Sequence, residues 1–516
     1  MSAIITDQVR ILNAKNFVSG VTTSDNSYYA FVGLPNPTDL LLDWDDDPPS
    51  PIDNFSQSND TWDTMIAMKK ITSDDIKLVI RKISWNSGTT YDYYRHDYGI
   101  SNIPRNANGT SLYSANYYAI NSDFRVYICL DNGTDPENID GRPSLDEPTF
   151  TDLEPRAAGT SGDGYIWKYL YTIKPSDVIK FDSTEFMPVP LNWETSNDHA
   201  AIRDNAIDGS IKTVIVQNRG VGLGTANRTY TRVPIKGDGS EAECTVVINN
   251  DQQVDSVTIS NPGKDYSFGT VDLIAGNVPS GTNVPALDVI ISPPGGHGKD
   301  IYRELGAKNA LMYARIENDD ENPDFITGNQ VARIGIVKNP KAYNSNSNIS
   351  LSKASAVYAM RLVGTGYSSA TFTADSTVTQ TVGTGVTAVG RVINYDQVTG
   401  VLKYWQDRTL AGFNTNGTTQ TNPQYGYDLT RFSNSVSGNG SFSIVGTTAG
   451  LSISTTFSGL STTLNNRTYY LGQSFTNGLS NPEVKKYSGD IIYIDNRPAI
   501  TRSSNQKEDI KIILQF

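Results

Sequence analysis

Histidine is the residue type that most often carries acid–base catalysis or binds zinc, and this chain has three of them. His96, His199 and His297 lie far apart, with no second histidine or cysteine at metal-ligand spacing, so zinc binding is not predicted. The run GTSGDG, from Gly159 to Gly164, lacks the lysine of a phosphate-binding loop and is interpreted as a turn. The Gly-x-Ser-x-Gly nucleophile motif is absent, although a Ser-His-Asp site stays open because its members meet in space. We predict no enzymatic activity, no catalytic residue and no cofactor.

A second candidate is the acidic, proline-rich connection from Leu34 to Pro51, which carries Asp43, Asp45, Asp46 and Asp47. Several carboxylates close together are the ligands that calcium prefers. The glycine turn and the distal glutamate of an EF-hand loop are missing, however. A solvated acidic loop is therefore the favoured interpretation, and no metal site is predicted.

The third candidate is an aromatic cluster made of Tyr91, Tyr93, Tyr94, Arg95 and Tyr98, interrupted by His96 and Asp97. Tyrosine and arginine are enriched in protein interfaces because they combine large contact area with polar reach. We hypothesise a subunit interface here. Two alternatives stay open: a tyrosine-rich strand edge inside its own domain, and a carbohydrate-binding surface.

Bulk properties exclude some classes of partner. The formal net charge is -13 and no basic cluster is visible, so binding to nucleic acid is not expected. No apolar run approaches the ~20 residues of a membrane span, and no basic-then-apolar leader opens the sequence, so we expect a soluble protein made in a reducing cytoplasm. No disulfide is expected between Cys129 and Cys244, which lie in different predicted domains.

A length of 516 residues suggests about three domains.

Composition predicts mostly short strands, because tyrosine, glycine, threonine and valine are abundant while helix-period patterns are scarce. In the N-terminal part we predict strands near Val9–Leu12 and Tyr28–Val32. Helical segments are predicted at Asp60–Met68, capped by Asp60 or Thr61, at a short turn Thr72–Asp75 and at Asp300–Leu305.

An internal repeat supports a separate β-domain. Ile211–Gly220 (IKTVIVQNRG) and Val254–Gly263 (VDSVTISNPG) align at an offset of 254 − 211 = 43 residues, and both alternate apolar residues before an Asn-x-Gly turn. A hairpin is predicted between the two copies. The domain is expected to end at a linker, Ser292–Gly298.

A second inserted region, Leu351–Asn477, is rich in serine, threonine and glycine. We predict that it is folded, because Gly390–Gln406 has the pattern of a hairpin that turns at Asp396–Gly400. Mobile loops are expected between Asn414 and Gly438.

The C-terminal 29 residues predict two strands. Ile491–Asp495 (IIYID) is β-branched and aromatic, Asn496-Arg497-Pro498 is expected to break it, and Asp509–Phe516 resumes the apolar pattern. Because a terminal strand needs a partner, we expect this end to close a sheet begun near the N-terminus.

Several segments, in this order, resemble one family of viral structural proteins. They are Asp163–Leu170 (DGYIWKYL), Glu185–Pro190 (EFMPVP), Val331–Tyr343 (VARIGIVKNPKAY) and Ser488–Pro498 (SGDIIYIDNRP). Together they resemble the baseplate wedge subunit, the gene-8 product family, of T-even-type contractile-tailed bacteriophages. The residues that carry the motif most clearly are Asp163, Gly164, Trp167, Asp495, Asn496, Arg497 and Pro498. The resemblance transfers no catalytic residue.

The resemblance implies a mainly β, multi-domain β-sandwich protein with few short helices and two β-rich insertions. Its core would comprise residues 1–205, 301–350 and 478–516, with insertions at 206–300 and 351–477. It further implies a homodimer that binds gene-10, gene-7 and gene-6 type wedge subunits, six wedges surrounding a hub, in a virion tail baseplate assembled in the host cytoplasm. The rival hypothesis is a receptor-binding or saccharide-cleaving tail fibre or spike protein, for which a trimer would be expected.

Overall fold

The computed structural model of the protein describes residues 4–23, 25–37, 44–317, 325–383, 386–407, 413–415, 418–420, 430–434, 443–444, 451–503 and 506–516. Strands predominate and form several antiparallel sheets, which confirms the predicted mainly β class with few short helices. The α-helices are α1 (Asp7–Thr22), α2 (Phe55–Thr64), α3 (Pro175–Phe181), α4 (Ala200–Asp204) and α5 (Ile301–Leu305). Single 3₁₀ turns occur at Ser73–Asp75, Leu112–Ser114, Asn197–His199 and Tyr367–Ser369.

The strands follow in chain order. The first fourteen are β1 (Tyr28–Gly33), β2 (Met65–Ile71), β3 (Ile76–Arg81), β4 (Tyr118–Ile120), β5 (Arg125–Asn132), β6 (Tyr165–Thr172), β7 (Phe186–Pro188), β8 (Ile211–Asn218), β9 (Thr229–Gly237), β10 (Glu243–Ile248), β11 (Val254–Asn261), β12 (Gly269–Val271), β13 (Ala286–Ile291) and β14 (Asn309–Glu317). The others are β15 (Gln330–Lys338), β16 (Lys353–Ser355), β17 (Tyr358–Val363), β18 (Thr377–Gly383), β19 (Val386–Asp396), β20 (Val401–Trp405), β21 (Phe413–Thr415), β22 (Thr418–Gln420), β23 (Ser443–Ile444), β24 (Leu451–Ile453), β25 (Gly459–Leu464), β26 (Arg467–Phe475), β27 (Leu479–Ser480), β28 (Asp490–Thr501) and β29 (Lys507–Gln515).

The chain divides into two compact units. Unit 1 comprises Met1–Val18, Lys77–Leu311 and Ile512–Phe516, and unit 2 comprises Ser19–Ile76 and Met312–Lys511. This division does not decide the three predicted segment boundaries, which stay a prediction.

In unit 2, a five-stranded sheet has the order β16-β2-β1-β15-β28. The expected association of a C-terminal strand with an N-terminal one is therefore found for β28, which shares this sheet with β1. The expected break at Asn496–Pro498 is wrong, because β28 continues to Thr501. The register between β15 and β28 shifts between the pairs Val331–Ile500 and Arg333–Asn496. This irregularity accommodates Pro498 of β28, which has no N–H to donate to the ladder.

Two N-terminal predictions are also wrong. Val9–Leu12 lies in helix α1, whose buried residues Ile11, Ala14, Val18 and Val21 follow a helical spacing of three and four. Helix α2 begins earlier than predicted, at Phe55, because the side chain of Asn54 accepts a hydrogen bond from Gln57 N and caps it. It ends at Thr64, and the next residue, Met65, begins β2.

Other local predictions are confirmed. Thr72 and Asp75 form a capping box around a single turn, and Asp300 caps α5 through the N–H groups of Tyr302 and Arg303. Strands β19 and β20 form the predicted hairpin, closed by Gly400 N donating to Asp396 O at 2.8 Å. Asp43 and most of the predicted loops between Asn414 and Gly438 lie outside the described residues.

The internal repeat forms two equivalent strand-turn elements in unit 1. The Asn218 side chain accepts from Gly220 N at 2.8 Å after β8, and Asn261 accepts from Gly263 N at 3.2 Å after β11. Both glycines have positive φ, 67° and 59°, which explains why glycine recurs there. The apolar cluster around these strands draws its buried members from within residues 211–291, and β10 and β11 form the predicted hairpin.

Candidate assembly site

The tyrosine cluster lies inside unit 1, in the connection that follows β3. Tyr91, Tyr93 and Tyr94 are 1%, 9% and 2% exposed, and Arg95 is 7% exposed. Tyr98 is half-buried, and its hydroxyl donates to Tyr93 O at 2.9 Å. This burial favours the alternative of a tyrosine-rich segment inside its own domain. A role for these side chains in a subunit interface stays a prediction. Little of their surface is exposed for contact with another subunit.

Arg95 links this segment to β13, the strand that pairs with β8. Its guanidinium forms ion pairs with Asp97 and Asp288, each at 2.5 Å, and Asp288 belongs to β13. Burial alone lowers the pKa of Arg95, but the hydrogen bond that its guanidinium donates to Asp97, together with the neighbouring Tyr93 and Asp288, outweighs burial and raises that pKa. Close by, His96 Nδ1 accepts from Ile291 N at 3.3 Å. The cluster therefore holds β13, which pairs with β8, within unit 1.

Asp92, which the sequence analysis did not single out, organises the loop that follows. It is 2% exposed, and its carboxylate accepts from the backbone N–H groups of Arg105, Asn106 and Asn116 at 2.8–3.0 Å. The only signal in the sequence is an acidic residue between tyrosines. Because three backbone donors converge on one buried carboxylate, the loop is held in a defined conformation.

Tyr94 packs against a second buried group, which consists of His297 and Glu304. Its ring lies 4.7 Å from that of His297, and His297 Nδ1 lies 2.6 Å from Glu304 Oε1. Gly298 N donates to Glu304 Oε2 at 2.7 Å. Ser292–Gly298 was predicted to be a linker, but Ser292 and His297 are only 5% and 4% exposed, so it is a packed turn.

A short exposed turn follows the cluster directly. Gly99 and Asn102 exchange backbone hydrogen bonds at 2.9 and 3.2 Å, and the Asn102 side chain donates to Asp97 at 2.7 Å. At its tip, Ile100 is 91% exposed, and Ile103 just beyond it is 47% exposed. This turn, unlike the tyrosine rings, presents apolar surface to solvent.

Asp163 and Gly164 directly precede β6, Trp167 lies within it, and all three make structural contacts. Asp163 accepts from Leu145 N at 2.8 Å and Tyr165 N at 3.0 Å. Gly164 has φ +90°, and a Cβ there would lie 2.7 Å from Gly133 Cα, so no side chain fits. Trp167 is fully buried, stacked on Tyr165 at 5.4 Å.

Asp495, Asn496, Arg497 and Pro498 lie on β28, the edge strand of the unit 2 sheet. Asn496 accepts from Arg333 Nε at 2.9 Å and donates to Pro49 O at 2.8 Å. Arg497 pairs with Asp495 at 2.6 Å, and its carbonyl accepts from Trp44 Nε1 at 2.8 Å.

Arg333, the residue that Asn496 holds, is 1% exposed and was missed in the sequence. It also donates to Thr64 Oγ1 and to Asn36 Oδ1 at 3.1 Å, and it lies 5.3 Å from the Trp44 ring centre. Burial lowers its pKa to about 10. An arginine inside the otherwise apolar strand VARIGIV is the only sequence signal. This network explains Asn496 as the partner of a buried cation.

The described residues contain no group of three or more histidine, cysteine or acidic side chains arranged to hold a metal ion. Cys129 and Cys244 are free thiols and both are buried. In the described part of the chain, no helix has the length and apolar character needed to cross a membrane. Around the tyrosine cluster and Arg333, the described residues form buried polar networks, and Ile100 projects from an exposed turn.

The chain is 26% identical over 224 residues to "Baseplate wedge protein gp8" of Enterobacteria phage T4, a match that covers 38% of this chain and 63% of the phage protein. The chain thus spans less than two thirds of that relative's length. No protein-family model matches the chain. The similarity is distant and partial, and it concerns a protein whose name places it in the baseplate wedge of that phage.

Proposed function

We propose that this chain is a structural subunit of the baseplate wedge in a contractile phage tail and has no enzymatic activity. The observation that carries the proposal is the distant similarity to baseplate wedge protein gp8. Two further findings support it: the mainly β fold, and the placement of Asn496 and Trp167 within buried structural contacts.

The finer parts of the proposal concern partners. The chain would act as a homodimer, bind gene-10, gene-7 and gene-6 type wedge subunits, and reside in the virion tail baseplate after assembly in the host cytoplasm. It would bind neither nucleic acid nor membrane. It would link neighbouring wedge subunits during tail assembly and during baseplate rearrangement.

The exposed turn Gly99–Asn102 is the contact surface that we assign to one of these subunits. Its tip is apolar and almost fully exposed, while Asp97 and the reciprocal backbone hydrogen bonds hold its conformation. A preformed apolar projection loses little conformational entropy on binding, so it can contribute strongly to an interface.

The test is reconstitution of wedge complexes from purified subunits of the phage that encodes the chain. We expect Ile100→Asp to reduce incorporation by about tenfold or more, because a charge replaces an apolar anchor. Ile274→Asp is the matched control, since Ile274 is also exposed, at 77%, but lies in the turn that follows β12. Failure of the wild-type chain to enter any wedge complex would refute the proposed function, whereas equal incorporation of both variants would refute only the assigned surface.

One observation favours the fibre or spike alternative. An open groove of about 400 Å³ is lined by Trp85, Asn86, Phe124 and Glu147, and aromatic and amide side chains suit a saccharide. Glu147 is the one carboxylate among the described lining residues, whereas the common glycosidase mechanisms use two. The groove therefore fits saccharide binding better than cleavage. Native mass measurement separates the alternatives, because a dimer supports the wedge and a trimer the fibre or spike.

A further inference from the structure

Unit 1 contains a small cavity beside helix α3. Its volume is about 70 Å³. A cavity of about 150 Å³ accommodates benzene, so this one has room for a molecule of about five non-hydrogen atoms. Ile173 and Val189 supply apolar walls, and the polar lining includes Lys77, Asp177 and His199. Apolar walls with a few convergent polar groups are the usual composition of a small-molecule site.

The charged wall of the cavity is an open ion pair. Lys77 Nζ lies 3.6 Å from Asp177 Oδ2, which is beyond hydrogen-bonding distance, although both side chains are half-buried. Neither charged group has a hydrogen-bond partner among the described residues. By contrast, Lys82, which follows β3, and Asp182, which follows α3, form a closed pair at 2.6 Å. The open pair therefore keeps donors and an acceptor available to a molecule in the cavity.

A histidine completes the polar lining. The half-buried ring of His199 stacks on the ring of Trp193 with 4.6 Å between their centres, and Trp193 is itself fixed because its Nε1 donates to Gly298 O at 3.0 Å. Burial lowers the pKa of His199, so the imidazole is neutral at pH 7 and has one donor and one acceptor nitrogen. In the described part of the chain, neither ring nitrogen has a hydrogen-bond partner.

The charge of the lining identifies the kind of molecule that fits. Lys77 and Asp177 carry opposite charges, and so do Lys174 and Asp198, which form an exposed pair at 3.0 Å. A simple anion bound to Lys77 would meet the like charge of Asp177, and a simple cation bound to Asp177 would meet Lys77. A molecule that carries both charges avoids this repulsion. Its carboxylate accepts from Lys77 while its ammonium group donates to Asp177.

We propose that this cavity binds a zwitterionic α-amino acid of about the size of glycine between Lys77 and Asp177. In an α-amino acid the ammonium and carboxylate groups are attached to one carbon atom, which suits two protein charges 3.6 Å apart. Glycine also matches the room for about five non-hydrogen atoms. His199 supplies a further hydrogen bond to the ligand. This site is independent of the proposed baseplate role.

The experiment is a saturation-transfer NMR titration of the full-length chain with glycine as the probe. Acetate and methylammonium carry one charge each and should bind about tenfold more weakly than glycine, because each lacks one charge-assisted hydrogen bond.

Lys77→Met is the test variant and should weaken glycine binding about tenfold or more for the same reason. Asp177→Asn is a second test variant in case Lys77→Met perturbs the fold. Lys82→Met is the matched control, because it removes the same charge from a closed pair of similar exposure in the same unit.

The inference is supported if the wild type and the Lys82→Met variant bind glycine while both cavity variants bind it about tenfold more weakly or not at all. It is overturned if the wild type transfers no saturation to glycine, or if acetate or methylammonium binds as tightly as glycine; these two results require no variant. It is equally overturned if the cavity variants bind glycine like the wild type, or if the control variant loses binding together with them. All of these results leave the baseplate role to its own test.

Discussion

Tyr94 provides the sharpest test of whether the tyrosine cluster belongs to the interior. Its side chain is 2% exposed, its ring packs edge-on against His297 and Tyr117, and its N–H donates to Cys129 O at 2.7 Å. Replacing a buried aromatic residue with alanine costs about 3–5 kcal/mol. We take about 4 kcal/mol for Tyr94→Ala, which corresponds to a roughly 700-fold larger population of the opened state.

The chain supplies its own reporter of that opening. Cys129 lies in β5 next to Tyr94, is fully buried, and burial raises its thiol pKa well above the ordinary value. Thiolate is the reactive form, so labelling by a thiol reagent requires local opening. Labelling of Cys129, resolved from Cys244 by mass spectrometry of peptides, should accelerate roughly 700-fold in Tyr94→Ala when opening is in rapid equilibrium.

The matched control is Tyr470→Ala, which removes an exposed tyrosine in unit 2 and should leave the labelling of Cys129 unchanged. If Tyr94→Ala also labels Cys129 at the wild-type rate, the ring does not stabilise unit 1. That result would refute the placement of the tyrosine cluster in the protein interior, and it would favour the hypothesis that the cluster forms a subunit interface.

Three further predictions concern single side chains. Arg333→Lys should lower the free energy of unfolding of unit 2 by about 3 kcal/mol, because one ammonium group cannot satisfy all the partners of the buried guanidinium. Faster amide hydrogen exchange in β15 would report this loss, and exchange at the wild-type rate would contradict the prediction. Gly164→Ala should lower the melting temperature more than Gly162→Ala, since both positions have positive φ but only Gly164 faces a backbone clash; equal losses would count against the packing argument. Burial raises the pKa of Asp131 to about 7, so the folded state holds this proton more tightly than the unfolded state, and stability should decline as pH rises from about 4 to 7. Urea denaturation across that range should show a smaller decline for Asp131→Asn, and identical pH profiles would refute the assignment.

Local sequence patterns predicted those parts of the fold that are determined by residues close together in the chain. The Asn-x-Gly turns after β8 and β11 were predictable because asparagine bonds the following backbone and glycine alone accepts positive φ readily. The capping box at Thr72–Asp75 was predictable because the threonine and aspartate side chains accept hydrogen bonds from nearby backbone N–H groups. Helix α1 was not, since a run such as Val9–Leu12 suits either a strand or a helix until tertiary packing selects which residues are buried.

The candidate site was harder to predict because its partners are distant in sequence. A run of tyrosines with an arginine has the same composition in an interface and in an interior. What separates the two here is Asp288, far along the chain, which pairs with Arg95, and His297, which packs on Tyr94. Pro498 was expected to end a strand, but the register slip in β15 accommodates it.

The central claim, a structural role in the baseplate, is tested most directly by immunoelectron microscopy of particles of the phage that encodes this chain. Antibody raised against the purified protein should label the baseplate at the distal end of the contractile tail, and the label should remain on tails from which the fibres have been removed. Label found only on the fibres, or absent from the tail, would contradict the account.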